Sequence, residues 1–510
     1  MKRIKKIFFT ALIGMLILTS CAPASSPIYA PPTPVISASP TIFDINIDSR
    51  ASSARMADSR PNIIVILTDD QPFHTVDYMP AVKTQLMAGG VVFENGFVTT
   101  PLCCPSRVSI LSGQYVHNHE VYTDRMPLGG APKFDDTTCM SLWLQEAGYR
   151  TAYFGKYLNE YEDIAPHGVV PPGWDVWKAF LGKNLSANDD VGNLQYFFNF
   201  SLSENGTEVK YPKSRENFSA DVLTNNALTF IRDERDTPFF MMLGYYNPHS
   251  PYVSAPRHKE TFRANGDSRN WTQYRPPNFN EEDIRDKPDY IGDLSPLSPE
   301  KLDTANKQIL RSLLSVDDGV ASILTALEKA GLEQNTIIVY VSDNGLTLGD
   351  HRFGVTKNCP YEACIKIPFI VYAPGYYAPR TDTHIVANID LAPTIAEWAG
   401  VSAPDTVDGI SMVPILEDPS FTWRKDILFE HWPTEEGVGS MIPEFYSIRT
   451  MEWKYTEYST DEVELYDLVN DPYELQNIAG KKTYCRAWHR CRTNTACCAG
   501  SSTPTGQNSR

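Results

Sequence analysis

The stretch Leu102-Cys103-Cys104-Pro105-Ser106-Arg107-Val108-Ser109-Ile110-Leu111-Ser112-Gly113 places a thiol at the start of a helix. Pro105 suits a first-turn position, where its missing N–H has no partner to lose, and Gly113 supplies a stop. Val108 and Leu111 recur at helical spacing, and Cys103 and Arg107, four apart, share a face. A helix N-terminus offers free N–H groups and partial positive charge, so an anion would sit there. A buried cysteine pair beside an ordinary helix start has the same local pattern, and spacing alone does not separate the two. Two further clusters carry chemistry: Asp69-Asp70, and Ser342-Asp343-Asn344-Gly345. Asp69, Asp70, Asp343 and Asn344 offer only hard oxygen donors, which suit Ca²⁺ or Mg²⁺. Three carboxylates converging without a cation would repel one another.

The elements that must position these groups are legible as apolar runs. Asn62-Ile63-Ile64-Val65-Ile66-Leu67 is nearly continuous, as expected of a strand buried on both faces of a parallel sheet, and it ends in Thr68-Asp69-Asp70. The pattern recurs at 149–154 before Gly155-Lys156, at 238–246 before Asn247-Pro248-His249, and at 336–341 before Ser342-Asp343. Four strands are thus expected to bring Asp, Lys, His and Asp/Asn to one rim, the edge where open α/β sheets bind ligands. Amphipathic stretches at 141–147, 220–232 and 303–330 predict intervening helices and an α/β body. The polar insertions 184–219 and 257–299 are expected to roof the cleft. After about residue 420, short runs at 427–431, 446–450, 454–458 and 464–468 predict a small antiparallel sheet.

Cys103-x-Pro105-Ser106-Arg107 followed by Leu111-x-Gly113 resembles the signature of type I, formylglycine-dependent sulfatases. The resemblance implies an alkaline-phosphatase-like sulfatase fold: a large, mostly parallel sheet flanked by helices, plus a small C-terminal antiparallel sheet. It implies that a formylglycine-generating enzyme oxidises Cys103 to an aldehyde, whose hydrate attacks sulfur and later expels sulfate. It implies a Ca²⁺ site made by Asp69, Asp70, Asp343, Asn344 and the formylglycine oxygen at Cys103. Arg107 would orient the hydrate, Lys156 and Lys357 would contact sulfate, and His249 would protonate the leaving oxygen. His117, Asn118 and His119 follow the signature helix and are candidates for lining the pocket. Many arylsulfatases read Gly-Lys-Trp-His at the lysine motif; here Gly155-Lys156-Tyr157-Leu158-Asn159 lacks that histidine. This replacement, with Cys103-Cys104-Pro105-Ser106-Arg107, His249-Ser250-Pro251 and Leu314-Ser315-Val316-Asp317-Asp318, resembles N-acetylglucosamine-6-sulfatases and heparan 6-O-endosulfatases. The substrate this implies is a sulfated carbohydrate of glycosaminoglycan type. An arylsulfatase, a phosphonate or phosphodiester hydrolase of the same superfamily, and an inactive glycan-binding surface lipoprotein remain the alternatives.

The chain has 510 residues and a formal net charge of −17. Nucleic-acid binding rests on basic surface, so so acidic a body argues against a nucleic-acid partner. Basic Met1–Lys6, the apolar run 7–18 and Leu18-Thr19-Ser20-Cys21 read as a secretion signal ending in a bacterial lipoprotein box. Export to the cell envelope, with a membrane anchor through lipidated Cys21, is the expectation; a plain signal peptide cut near Ala24 is the alternative. The resulting division is a signal at 1–21, a Pro/Ser/Ala-rich tether at 22–60, a catalytic domain at 61–420, a C-terminal subdomain at 421–480 and a cysteine-containing tail at 481–510. Of ten cysteines, eight besides Cys21 and Cys103 are expected in disulfides, as suits an exported protein.

Overall fold

Eight consecutive buried residues make β1 (Asn62–Asp69), the strand on which the rest of the chain is assembled. The computed structural model describes residues 59–480 apart from 165–168, 183–191, 234–235, 264–270 and 434–440. The signal, tether and tail readings, with Cys21, Cys485, Cys491, Cys497 and Cys498, lie outside the described residues.

The further strands of the main sheet are β2 (Val91–Phe97), β3 (Arg150–Gly155), β4 (Val176–Leu181), β5 (Phe200–Glu204), β6 (Thr207–Tyr211), β7 (Phe239–Pro248), β8 (Thr336–Ser342), β9 (Phe369–Tyr372) and β10 (Arg380–Ala387). They form one ten-stranded sheet in the order β10-β2-β9-β8-β1-β7-β3-β4-β5-β6. The centre is parallel: β8 with β1, β1 with β7, β7 with β3 and β3 with β4. Parallel strands with both faces covered must be apolar throughout, which is why these runs lack alternation.

Each face has its own helical layer. The helices Cys103–Ser112, Met140–Glu146 and Leu391–Trp398 pack together on one side. Val108, Leu111, Leu144 and Ile395 there join Ile63, Val65, Phe240 and Val339 of the sheet in a single core. Helices Ser219–Arg232 and Pro299–Lys329 pack on each other and on β7 across the other face. The second of these starts with Ser298 accepting from the Lys301 N–H and Pro299 at the first helical position, and it buries Leu310, Leu313, Leu314, Ile323, Leu324 and Leu327.

A separate sheet of four antiparallel strands, β11 (Asp426–His431), β12 (Phe445–Thr450), β13 (Trp453–Tyr458) and β14 (Val463–Asp467), follows in simple meander order. The α/β architecture with a small C-terminal antiparallel sheet is therefore as the sequence implied. Two expectations are corrected. Part of the insertion read as a roof over the cleft is instead the β5–β6 hairpin, which extends the main sheet at its edge. Its Asn205-Gly206 turn has positive φ at both residues, the geometry that matches strand twist in a two-residue hairpin. Of the cysteines expected in disulfides, Cys359 and Cys364 pair with each other, whereas Cys104 and Cys139 are buried free thiols. Both of the latter sit in the main hydrophobic core, where a thiol packs as a small apolar group. Among the described residues no helix is long and apolar enough to cross a membrane.

Candidate active site

The C-terminal ends of β1, β7, β3 and β8 lie side by side, so the polar residues that follow them meet at one rim. Asp69 ends β1 and Asp70 follows with φ 63°, a left-handed turn that a non-glycine residue adopts at a cost. The Asp70 N–H donates to Asp343 Oδ1 at 3.1 Å, and the Asp343 N–H donates to the Thr68 carbonyl at 3.0 Å. The two carboxylate-bearing turns are thereby locked together. The helix Cys103–Ser112 brings its first residue to the same place, and all ten of its residues are buried. Gly113 ends it in the left-handed conformation with φ 72°, returning its N–H to the Ser109 carbonyl.

Around Cys103 the geometry is tight. Its Sγ lies 3.3 Å from Asp69 Oδ1 and 3.6 Å from Asp70 Oδ1. Lys357 Nζ lies 2.6 Å from the same sulfur and 2.7 Å from Asp70 Oδ1. Lys156 Nζ is 2.5 Å from Asp69 Oδ2, and His249 Nε2 is 3.6 Å from Asp70 Oδ2. Arg107 is wholly enclosed: Nε donates to Asp343 Oδ2 at 2.7 Å, one terminal nitrogen donates to the Lys156 carbonyl at 2.7 Å, and the other lies 3.6 Å from Asp69. Asn344 Nδ2 donates to Asp70 Oδ1 at 2.7 Å, while its buried Oδ1 has no hydrogen-bond partner.

The structure thus brings together every residue singled out at the rim: Asp69, Asp70, Cys103, Arg107, Lys156, His249, Asp343, Asn344 and Lys357. The grouping differs in one respect. The donors that converge within 4.8 Å are Asp69, Asp70, Cys103 and His249, whereas Asp343 is taken up by Arg107 and the Asp70 N–H. The donor chemistry still fits a hard cation. Carboxylates dominate, they are buried, and the orphaned Asn344 oxygen is a neutral acceptor that a cation would satisfy.

Electrostatics follow from burial and proximity. Burial works to raise the Asp69 carboxyl, but Lys156, His249, Arg107 and Lys357 outweigh it and hold Asp69 well below the ordinary range. Asp343 is pushed up to about 7, first by burial and then by the charge of Asp69. The Cys103 thiol is raised by burial and by Asp69, so an unmodified thiol here is a poor nucleophile. Burial lowers the His249 imidazolium despite the carboxylates beside it.

Several supporting residues carry no motif of their own. Asp124 accepts from the Cys104 N–H at 2.9 Å in the first turn of the helix. Tyr153 donates to the Lys156 carbonyl, and the Tyr246 ring lies 5.4 Å from Lys156 Nζ and 4.7 Å from the His249 ring. An aromatic beside a strand-end cation was the only available signal. The candidates His117, Asn118 and His119 turn out to be ties rather than members of the cluster. His117 Nδ1 pairs with Glu430 at 2.6 Å, Asn118 donates to both oxygens of Asp408, and His119 Nε2 meets Ser109 Oγ at 3.0 Å. Their one-turn helix, Val116–His119, points its polar groups at neighbouring segments that need partners.

Comparison with known proteins gives the family. A model of the sulfatase family matches residues 61–401, and a model of the N-sulphoglucosamine sulphohydrolase C-terminal region matches residues 349–495. The N-acetylglucosamine-6-sulfatase of Capra hircus is 34% identical over 485 residues, covering 84% of this chain and 81% of that protein. A Caenorhabditis elegans protein described as a Sulf-1 homologue, an extracellular sulfatase, is 34% identical over 379 residues, 72% of this chain. This match spans about half, 51%, of that longer relative. Among solved structures, a protein in complex with its substrate D-glucosamine-2-N,6-O-disulfate superposes with TM-score 0.71 at 25% identity, covering 84% of this chain and 96% of that one. A phosphonate monoester hydrolase of Agrobacterium radiobacter shares the fold, with TM-score 0.65 at 20% identity over 86% and 95%. On the match across residues 61–401, together with the strand-end charges that surround Cys103, the chain belongs to the sulfatase family.

Proposed function

We propose that this protein hydrolyses sulfate esters of sugars, of the N-acetylglucosamine-6-sulfate or glycosaminoglycan type, with Cys103 matured to formylglycine by a formylglycine-generating enzyme. The observation that carries the reading is the placement of residue 103 within 3.6 Å of Asp69 and Asp70 and beside Lys357, at the buried start of a helix. Asp69, Asp70, Asp343 and Asn344 would hold Ca²⁺ with the oxygen of residue 103. Bound there, the cation supplies charge neutralisation to a sulfate oxygen and makes a neighbouring hydroxyl more acidic.

The protein's own groups do the rest. Arg107 fixes the helix start against Asp343 and the strand-end carbonyl of Lys156, so residue 103 is held rather than free to rotate. Lys156 and Lys357 hold positive charge where the sulfate oxygens would lie, and buried cations of this kind stabilise developing negative charge most strongly. His249 Nδ1 lies 2.9 Å from the Ser250 carbonyl, which aims Nε2 at the Asp70 side of the pocket, where it could protonate a leaving oxygen. The sugar reading draws on the N-acetylglucosamine-6-sulfatase relatives and the disulfated glucosamine complex, and export on the extracellular relative and the lipoprotein-like N-terminus with Cys21.

The test is sulfate release from a 6-O-sulfated N-acetylglucosamine oligosaccharide by protein made in a host that forms formylglycine. Release should vanish in Cys103→Ala while the melting temperature stays near that of the parent. Cleavage of matched phosphate or phosphonate esters in preference to sulfates would overturn the sulfatase reading. Glycan binding with residue 103 still a thiol in the native host would favour an inactive surface lectin.

A further inference from the structure

Asp124 stands at the start of the helix that carries residue 103, outside the rim cluster. Its Oδ1 accepts from the Cys104 N–H at 2.9 Å. That nitrogen belongs to the peptide bond of residue 103, so standard bond lengths place the carboxylate within about 5 Å of the Cys103 Cα. Among the described residues, Asp124 Oδ2 has no hydrogen-bond partner and no salt bridge engages the side chain. The same negative charge acts on Lys357, the amine assigned to sulfate. Holding the helix start accounts for one carboxylate oxygen and leaves the other free.

The local chain keeps this side chain open to solvent. From Val121 to Asp124 burial alternates: Val121 and Thr123 are buried, Tyr122 and Asp124 half-buried. Thr123 is bridged to Gly129, where a Cβ would come within 1.7 Å of the Thr123 carbonyl oxygen, so only glycine allows the approach. The alternation puts Tyr122 and Asp124 on one outward face. That face continues away from the rim as aromatic surface. The Tyr122 ring lies 4.5 Å from the Trp432 ring, and Trp432 lies 5.8 Å from Tyr446, which is 42% exposed. A charged carboxylate oxygen accepts strongly from hydroxyls, and aromatic faces cover the C–H side of a hexose. Asp124 would repel an anionic group, so sulfate belongs with Lys156 and Lys357 and the hydroxyls of its sugar with Asp124.

We propose that Asp124 is a specificity-determining residue, whose free oxygen accepts a hydroxyl of the sugar unit whose sulfate lies against residue 103. The proposal rests on the sulfated-sugar reading and adds to it the group that tells a sugar from other sulfate esters. An ester with no hydroxyl at that place would leave a charged acceptor desolvated and unmatched. Sites built on such a hydrogen bond reject analogues that lack the donor.

The experiment crosses changes in the protein with changes in the sugar. Asp124→Ser and Asp124→Asn both keep an acceptor suited to a helix start, and melting temperatures near the parent's verify folding. The quantity measured is kcat/KM on 6-sulfated N-acetylglucosamine and on its 3-deoxy and 4-deoxy analogues. In the parent, loss of one of these hydroxyls should cost about thirtyfold. Both variants should lose about tenfold or more on the complete sugar, and that same deoxy analogue should cost them less than about twofold further. Variant losses equal on all three sugars would show that Asp124 only holds the helix, and would overturn the proposal. No loss on the complete sugar, or a parent indifferent to both hydroxyls, would overturn it as well. Should no sulfated sugar be hydrolysed, calorimetric titration of Cys103→Ala protein with the same three sugars separates the two readings. Affinity for the complete sugar that Asp124→Ser weakens, with no such weakening for one deoxy analogue, supports the assignment although the hydrolytic reading has failed. Binding that Asp124→Ser leaves unaltered, or weakens equally for all three sugars, refutes it, as does the absence of binding.

Discussion

Arg107 shows how one side chain can serve both stability and positioning. Its planar fork meets Asp343 on one edge and the Lys156 carbonyl on the other, and it is almost completely removed from water. A lysine there would keep the charge but offer a point donor on a flexible stem, unable to span both partners. Arg107→Lys should therefore lower unfolding free energy by about 2–3 kcal/mol, below the loss for removing the charge altogether. Sulfate release should fall on the order of a hundredfold, because residue 103 and the Lys156 backbone lose their common brace. Denaturant unfolding and initial rates on the same preparation measure the two effects. The conjunction of thiol, proline and arginine in one helix turn was readable because helical spacing is local. The partner of the Cys104 N–H, Asp124, was not: it lies on an irregular segment whose position depends on packing rather than on any periodic pattern.

At the level of strands and helices, the charged rim depends on how closely β3 and β7 can lie. Gly155 ends β3 with φ 106°, a conformation that L side chains rarely adopt, and a Cβ there would come within 2.0 Å of the Gly244 carbonyl oxygen. The next residue is Lys156, whose N–H donates to that same carbonyl at 2.8 Å. Gly155→Ala should cost about 3 kcal/mol of stability or more and pull Lys156 away from Asp69, which thermal melts and sulfate-release rates would both register. The buried central strands were legible because a doubly covered parallel strand is apolar throughout. β10, with the sequence Arg-Thr-Asp-Thr-His-Ile-Val-Ala, and the β5–β6 hairpin were not. They sit toward the sheet edges, where polar residues are tolerated and pairing is settled by segments far away in sequence.

Across the molecule, the small sheet is fastened to the catalytic body through buried charge. Lys454 on β13 donates to the Pro360 carbonyl at 2.7 Å, pairs closely with Glu474 and lies 3.9 Å from Glu362. Arg449 on β12 holds Glu362 from the other side, and the Tyr361 hydroxyl reaches Glu464 on β14 at 2.8 Å. Lys454→Met would leave Glu474 without its cation, and stability should drop by about 3–5 kcal/mol. Adding Glu474→Gln should restore part of that loss, since no uncompensated charge then remains; chemical denaturation of the two variants checks the order. None of this was visible in the sequence, because a lone lysine on a predicted strand looks the same whether it faces water or a buried glutamate.

That fastening has a consequence for the order in which the chain is made. The segment it grips, 359–364, begins two residues after Lys357 and is closed by the Cys359–Cys364 bond. Synthesis runs from the N-terminus, so Asp69, Cys103, Lys156, His249 and Asp343 all leave the ribosome well before the residues that hold the Lys357 loop in place. A nascent chain released before β13 would carry all nine rim residues, with the segment after Lys357 lacking its contacts to the small sheet. Such a chain would lack Lys454 and Glu474, which hold the 360–362 segment, so the loop after Lys357 is expected to lose that anchorage even though every rim residue has been made.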